Sequence, residues 1–419
     1  MIINQIVQGG GVTPTGTKSI TANGTYDVTN YATADVQVPT TAPACYLPLE
    51  KAANSVLVRS SSSPFVALPA GTVGIDEYIF YKAYQNVPAN ILNGSIDMSS
   101  LTQLANTNSC YEMFKQSTGI TSVDMSSLQT ITGPTVCHSM FYGCTGLTTV
   151  DLSSLETIYN NSSCTSMFYG CTSLTTVGLR SLKSISGQES AKWMFSGCTG
   201  LTTIDLPAFI SAGNTSACVG MFENCTNLAS VDISSLTRTW NYQNAIAELF
   251  KGCSSLTTLT FHSLTEIGGR YACADMCSGC TSLTSLSFPS LTPSSFGSNS
   301  NQFNGMLSGV TGCTVHFPSN IQATIGSWAS VTGGFDGTNT TVLFDLPATR
   351  TLTGADSATY TRNPKYDTAT ALAWKVGAYT TTNFTPAYYT SGLTDPAVGD
   401  TIYSDAACTT AVTTISAIA

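Results

Sequence analysis

The seventeen residues SMFYGCTGLTTVDLSSL starting at Ser139 return as SMFYGCTSLTTVGLRSL at Ser166, 27 positions later. The Met-Phe step of this segment recurs at Met113, Met140, Met167, Met194 and Met221, each 27 residues after the last. Leu249-Phe250, Met276-Cys277 and Met306-Leu307 continue it at steps of 28, 27 and 30 residues. A period of this length constrains the fold more than any other feature. One copy is too short to bury its own apolar face, so the copies must stack and build one continuous core, as in a solenoid.

Within a copy, Leu147, Val150, Leu152 and Leu155 are the apolar positions, separated by Thr, Asp and Ser. Val150-Asp151-Leu152 alternates as a strand with one buried face does. Equivalent strands lie one period apart and are expected to pair in parallel, about 4.8 Å per copy. SMFYGC reads as a short turn or helical segment with Met and Phe directed inward. Gly143, Gly170 and Gly197 supply the freedom for a sharp turn into the next strand. The expected core is therefore Met140, Phe141, Cys144, Leu147, Val150 and Leu152, then Met167, Phe168, Cys171 and Leu174 one copy on.

Two cysteine columns run through the copies. Cys144, Cys171, Cys198, Cys225, Cys253 and Cys280 lie four residues after the Met position. Cys110, Cys137, Cys164, Cys218 and Cys273 lie three before it, with Ala191 and Ile246 substituting in two copies. Small or apolar replacements suit a buried ladder of reduced thiols. Disulfides between the columns and a metal site remain open. Cys277-Ser278-Gly279-Cys280 is a single CxxC with no second ligand pair.

The Met-Phe step, the Cys and the LTTVDL strand together resemble the BspA-like leucine-rich repeats, over roughly residues 89–318. The resemblance implies a mainly β chain with short helices, a leucine-rich-repeat solenoid with a parallel sheet, flanked by small β modules. It also implies a surface or adhesive role. Each copy is a few residues longer than the common form, the excess lying before Met-Phe, as in YNNSSCTS before Met167.

The flanks break the period. SITANGTYDVTNYATADVQV, with Asn23-Gly24 between Ile20-Thr21 and Tyr26-Val28, signals a β-hairpin. Residues 1–43 form an expected N-terminal β module, which resembles short modules near the start of tail and fibre proteins of bacteriophages infecting gut bacteria. The resemblance implies a segment that docks on the particle. Residues 44–88 are expected to cap the solenoid, the repeats to span 89–318, and residues 319–346 to close the other end. Residues 347–419, with DPAVGDTIYSDAACTTAVTTISAI, resemble a small β module of phage and prophage structural proteins.

Composition limits the function classes. Charged residues make up only 9% of the 419 residues and the net charge is -9. Without clustered Lys and Arg, phosphate neutralisation is not available, so no nucleic-acid partner is expected. No apolar run approaches 18 residues, so no membrane insertion is expected. The first residues, MIINQIVQGGG, lack a basic start and a sustained apolar core. The expectation is synthesis in a cytoplasm, or a leader lost from the sequence.

Catalytic groups are sparse. His138, His262 and His316 occupy different columns and read as rim residues. No GxSxG, HExxH or Gly-rich phosphate loop is placed to work. Asp97, Asp124, Asp151, Asp205 and Asp232 form a carboxylate column, broken by Gly178 and Thr260. Like charges one strand apart repel unless solvated or hydrogen-bonded, and flanking Ser and Thr supply such bonds. The plain reading is a hydrated face; calcium is the alternative, and catalysis by opposed carboxylates is a weaker one. No enzyme and no cofactor are expected.

Binding candidates fall in two places. The strands expose Thr149-Asp151-Ser153, Thr176-Gly178-Arg180, Thr203-Asp205-Pro207, Ser230-Asp232-Ser234 and Thr258-Thr260-His262, expected to form one continuous polar face. The variable segments before Met-Phe carry Arg238, Trp240 and Tyr242, then Arg270 and Tyr271, residue types enriched at recognition hot spots and able to stack on sugar rings. The candidate ligand-binding set is Arg238, Trp240, Tyr242, Arg270, Tyr271, Arg180, Asp151, Asp205, Asp232 and His262. The expected partners are a glycan or protein of a host surface and other virion proteins through the N-terminal module, with a homo-oligomer as an open possibility. The chain is thus expected to be a virion component (tail fibre, tail tip or head decoration). A bacterial cell-surface adhesin is the alternative.

Overall fold

In a computed structural model, residues 94–99, 101–296 and 301–346 are described, together with Ala89 and short strands in both flanks. The described core is a stacked series of coils, and its regular structure is almost entirely β. The first wall of each coil is a strand: Gly94–Asp97, Ile120–Asp124, Thr149–Asp151, Thr176–Gly178, Thr203–Asp205, Ser230–Asp232, Thr258–Thr260 and Ser285–Ser287. All the pairings along this wall are parallel and in step with the period, Val150 facing Val123 and Val177 across its two neighbours. Leu147, Leu152, Leu155 and Leu174 are fully buried and Val150 nearly so, one above another in a single continuous core.

The wall is not one unbroken sheet. Backbone pairing joins four strands up to Gly178, then two, then four. Among the described residues no strand pairing joins Thr176–Gly178 to Thr203–Asp205, and the Arg180–Asp205 ion pair bridges that gap.

A second parallel ladder turned up that the repeat reading had not placed. Gln103–Leu104, Thr130–Ile131, Thr157–Ile158, Ser184–Ile185 and Ser211–Ala212 pair in order, each sending one apolar side chain inward. Each of these coils thus carries two strands.

The Met-Phe segment is neither strand nor helix. It is a run of overlapping turns: the Met140 N–H donates to the Cys137 carbonyl at 3.1 Å, Tyr142 to Ser139 at 3.2 Å and Cys144 to Phe141 at 3.1 Å. The intervening N–H groups of Cys137, Ser139, Phe141 and Gly143 donate to the next coil at 2.7–2.9 Å. Every N–H of the segment is satisfied, half within the coil and half between coils, as a buried backbone requires. The geometry needs a left-handed residue every fourth position. Gly143, Gly170 and Gly197 fill one such column at φ of 67°, 68° and 73°.

Inside, Phe114, Phe141, Phe168, Phe195, Phe222 and Phe250 stack with centroids 5.2–5.8 Å apart and planes within 13° of parallel. Cys277 ends this column. A second stack on the strand wall, Phe261, Phe288, Phe317 and Phe344, takes over at 5.1–5.7 Å. Large side chains leave one wall as they arrive on another, which keeps the core filled.

All thirteen described core cysteines are buried free thiols. The column after Met-Phe has a specific role: Cys144, Cys171, Cys198, Cys225, Cys253 and Cys280 each donate to the carbonyl of a Phe one coil earlier, at 3.0–3.2 Å.

The period carries on past Pro318 in space. Thr341–Leu346 pairs in parallel with Thr314–Pro318, Thr314 facing Thr341. Phe335 packs edge-on against Phe303 and Trp328 edge-on against Phe296, giving residues 319–346 an aromatic plug. Further on, strands between Thr351 and Ile418 close into an antiparallel barrel of six. The turn expected at Asn23-Gly24 lies largely outside the described residues; Gly24–Thr25 pairs in parallel with Cys45–Tyr46. Most of residues 1–88 and the rest of the tail also lie outside them.

Candidate functional site

The Asp column is assembled as expected, and the structure explains why Asp is there. Asp97, Asp124, Asp151 and Asp232 each accept the backbone N–H of the Ser two residues on, at 2.9–3.0 Å. Each carboxylate ends its strand by fixing the following turn, a local role that any Asx turn performs. Asp205 is held instead by Arg180. An open trough of about 620 Å³ lies over Ser95, Asp97, Ser122, Asp124, Thr149, Asp151, Thr176 and Gly178. Its lining combines hydroxyls and carboxylates with Ile96, Val123 and Val150, and holds no aromatic group. Asp232 and His262 lie farther along the same wall, in separate hydrogen-bonded sections of it.

The aromatic candidates divide into two groups. Trp240 and Tyr242 are each 41% exposed, and the Arg238 guanidinium lies 4.4 Å from the centre of the Trp240 ring. Gly213 in the coil before leaves room for that indole. Arg270 covers Tyr271 at 4.7 Å and bonds its hydroxyl at 3.0 Å. Tyr271 itself packs on Val219, Ala247 and Ala274. It thereby joins a different site, on the turn wall.

That site is a trough of about 490 Å³ running across successive coils from Lys192 and Trp193 to Asn304 and Gly305. Its floor is small: Ser216, Val219, Ala247 and Ala274. Trp193 closes one end, where a side chain at Gly220 would lie 2.8 Å from the indole Nε1. Tyr271, Asn244, Glu248 and Asp275 line the remainder. Lys192 pairs with Glu189 at 2.9 Å and sits 4.4 Å over the Trp193 ring; Lys251 pairs with Glu248 at 3.1 Å and reaches Glu223 at 3.9 Å.

Burial raises the Glu223 carboxyl; Lys251 opposes the shift, Glu248 adds to it and a hydrogen bond from Trp193 opposes it. Asp275 is raised by burial too, against Lys251 and with Glu248 and Asp336. Lys251 is burdened by desolvation, yet its bond to Glu248 and the surrounding carboxylates raise it overall. No hydrogen bond among the described residues ties down the Asp275 carboxylate.

Sequence reasoning missed Trp193, Glu223, Glu248 and Asp275. A signal was present in the column itself: Glu112, Ser139, Ser166, Trp193, Gly220, Glu248, Asp275 and Gly305 share one repeat position. Trp193 stands there at φ 54°, and Tyr271 in a neighbouring column at φ 58°. Bulky residues rarely adopt that left-handed backbone, and it costs on the order of 1–2 kcal/mol.

Among the described residues no group of three or more His, Cys, Asp or Glu is placed to hold a metal, and no helix is long and apolar enough to cross a membrane. His316 Nδ1 lies 3.0 Å from Asp345, and His138 stacks on Tyr111 with centroids 4.9 Å apart. Neither faces a nucleophile in these contacts.

No curated protein matches the chain. The family model described as BspA type Leucine rich repeat region matches in six copies, over residues 60–187, 107–244, 135–277, 166–308 and 241–329. These spans cover well over half of the sequence and include the first wall's strands from Gly94–Asp97 to Ser285–Ser287. The chain therefore belongs to the BspA-type leucine-rich repeat family, a fold that serves as a binding scaffold.

Proposed function

We propose that the protein is a non-enzymatic receptor-binding component of a phage particle, a tail fibre, tail tip or head decoration, which meets a host-cell surface through its repeats. The observation that supports this most is the turn wall. A regular scaffold places the aromatic residues Trp193 and Tyr271 at left-handed turn positions that the other coils fill with Ser, Thr, Asn, Gly, Asp or Glu, and presents them beside a trough. Aromatic side chains are what recognition surfaces use. The sequence resemblance of both flanks to virion modules supports the particle assignment, with residues 1–43 as the docking segment.

The family match supports a second reading, a bacterial cell-surface adhesin, because it rests on the repeats alone. One experiment separates the two. Antibody against the repeats is applied, in immunogold microscopy, to purified particles and to intact producing cells. Gold on particles supports the virion assignment; gold on cells with none on particles establishes the adhesin. Soluble protein that binds neither host cells nor their isolated envelopes would refute the binding function itself.

A further inference from the structure

Three features of the described residues bring together groups that could form a further site. The Asp column on the strand wall is occupied by its own turns and offers carboxylates alone. The CxxC at Cys277 and Cys280 is buried, and the Cys280 thiol already donates to the Phe250 carbonyl. The turn-wall trough differs from both in shape, lining and chemistry.

It spans five coils, from Trp193 to Gly305, a length of roughly 19 Å at about 4.8 Å per step. The ligand that fits is therefore elongated and lies along the solenoid axis. The walls give one aromatic surface near each end, Trp193 and Tyr271, over a floor too small to fill the space between. The polar groups are planar amides and carboxylates, Asn244, Asn304, Glu248 and Asp275, with the Lys192 ammonium at the rim.

The charges decide between ligand classes. Lys192 is compensated by Glu189 and Lys251 by Glu248, so the trough carries no unpaired cation to attract an anionic ligand. Asp275 adds a carboxylate with free acceptor capacity, which repels anions further. An extended peptide would need backbone partners, and the N–H groups of this wall are already committed within and between coils. Hydroxyl groups suit the site, because each both donates to carboxylates and amides and accepts from ammonium, and sugar rings present apolar faces to aromatic side chains.

We propose that this trough binds an uncharged oligosaccharide, its rings against Trp193 and Tyr271 and its hydroxyls on Asn244, Glu248, Asp275 and Asn304. The proposal rests on the surface-binding reading above and names its ligand class and its site.

The test uses the full chain and a panel of uncharged hexose and N-acetylhexosamine tetrasaccharides, with their sulfated counterparts, followed by calorimetry and tryptophan fluorescence. At least one uncharged tetrasaccharide is expected to bind, and its sulfated form to bind at least tenfold more weakly. Trp193→Ala and Tyr271→Ala are each expected to weaken binding by roughly tenfold or more. Ala247→Arg, which fills the floor, abolishes it, and Tyr159→Ala, an exposed ring outside the trough, leaves it unchanged. Unfolding transitions like the parent's certify each variant, and Asp275→Asn, which keeps the shape, is the fallback if Trp193→Ala fails to fold. Binding that survives both Ala247→Arg and Asp275→Asn undiminished, or that prefers the sulfated form, overturns the proposal. So does a protein that binds host cells equally before and after periodate oxidation of their sugars, and in that case the binding function stands with a protein partner. Loss of all host-cell binding by the parent protein would instead remove the broader reading.

Discussion

The Cys171 thiol donates to the Phe141 carbonyl at 3.1 Å, one coil back, and that carbonyl also receives the Cys144 N–H at 3.1 Å. The column thus needs a side chain small enough for the stack and able to donate. Cys171→Ala removes the donor and leaves a small void, and is expected to cost about 1–2 kcal/mol. Cys171→Val is expected to cost more, since it loses the donor and overfills a close-packed layer. Chemical unfolding of the two variants beside the parent checks the order; an alanine variant as stable as the parent removes any role for the thiol bond.

Burial pushes the Cys144 and Cys225 thiols up to about 12, and Cys313 to about 11. An unfolded thiol ionises near pH 8.5. Folded pKa above unfolded pKa means the stabilisation is intact below about pH 8.5 and declines as pH rises toward the folded values. The melting temperature is therefore expected to fall steadily from about pH 8.5, the unfolded thiol value, to the Cys313 value of about 11. The fall should be smaller in a Cys144→Ala/Cys225→Ala variant. Thermal scans across that range decide it.

The same burial makes the described cysteines unreactive in the folded state. A thiol reagent at pH 8 is expected to modify none of the thirteen until denaturant is added. Mass spectrometry of peptides after labelling with and without denaturant reads this directly. Labelling of Cys171 or Cys198 in the native protein would contradict the packing.

Glu223 is raised by burial, so its charged form is disfavoured in the fold, although Lys251 and Trp193 offset part of that. The associated stability is present below the carboxylate's unfolded pKa and lost as pH rises through the folded one. Glu223→Gln is expected to raise the melting temperature slightly at pH 7 and to leave it unchanged near pH 4. A lowered melting temperature at pH 7 would show that the Lys251 contact dominates.

Asp151 accepts the Ser153 N–H at 2.9 Å. Asp151→Asn keeps an acceptor and is expected to be nearly neutral, whereas Asp151→Ala is expected to cost about 0.5–1 kcal/mol. Equal losses in both variants would show that the charge, not the turn, is what the column provides.

Gly187 shows what the sequence could and could not say. A side-chain carbon there would land on the Asn160 carbonyl, so the coil passes only because the residue is glycine. Nothing in the repeat letters marks that glycine as different from Gly143, whose reason is a φ of 67°. The period, the buried face of LTTVDL and the Met-Phe core were all legible from sequence alone, because burial against an identical neighbour imposes the same residue at every step. The second ladder was not, since two-residue strands such as Thr157–Ile158 are too short to show alternation. Nor was the trough. Trp193 and Tyr271 lie 78 positions apart in the sequence, and only the stacking of coils brings them to one wall. The sequence by itself determined that the chain coils and what fills its core, because that information is local and repeated. The tertiary structure alone decided where the pattern's exceptions meet, because a surface site is set by distance across coils, which no period records.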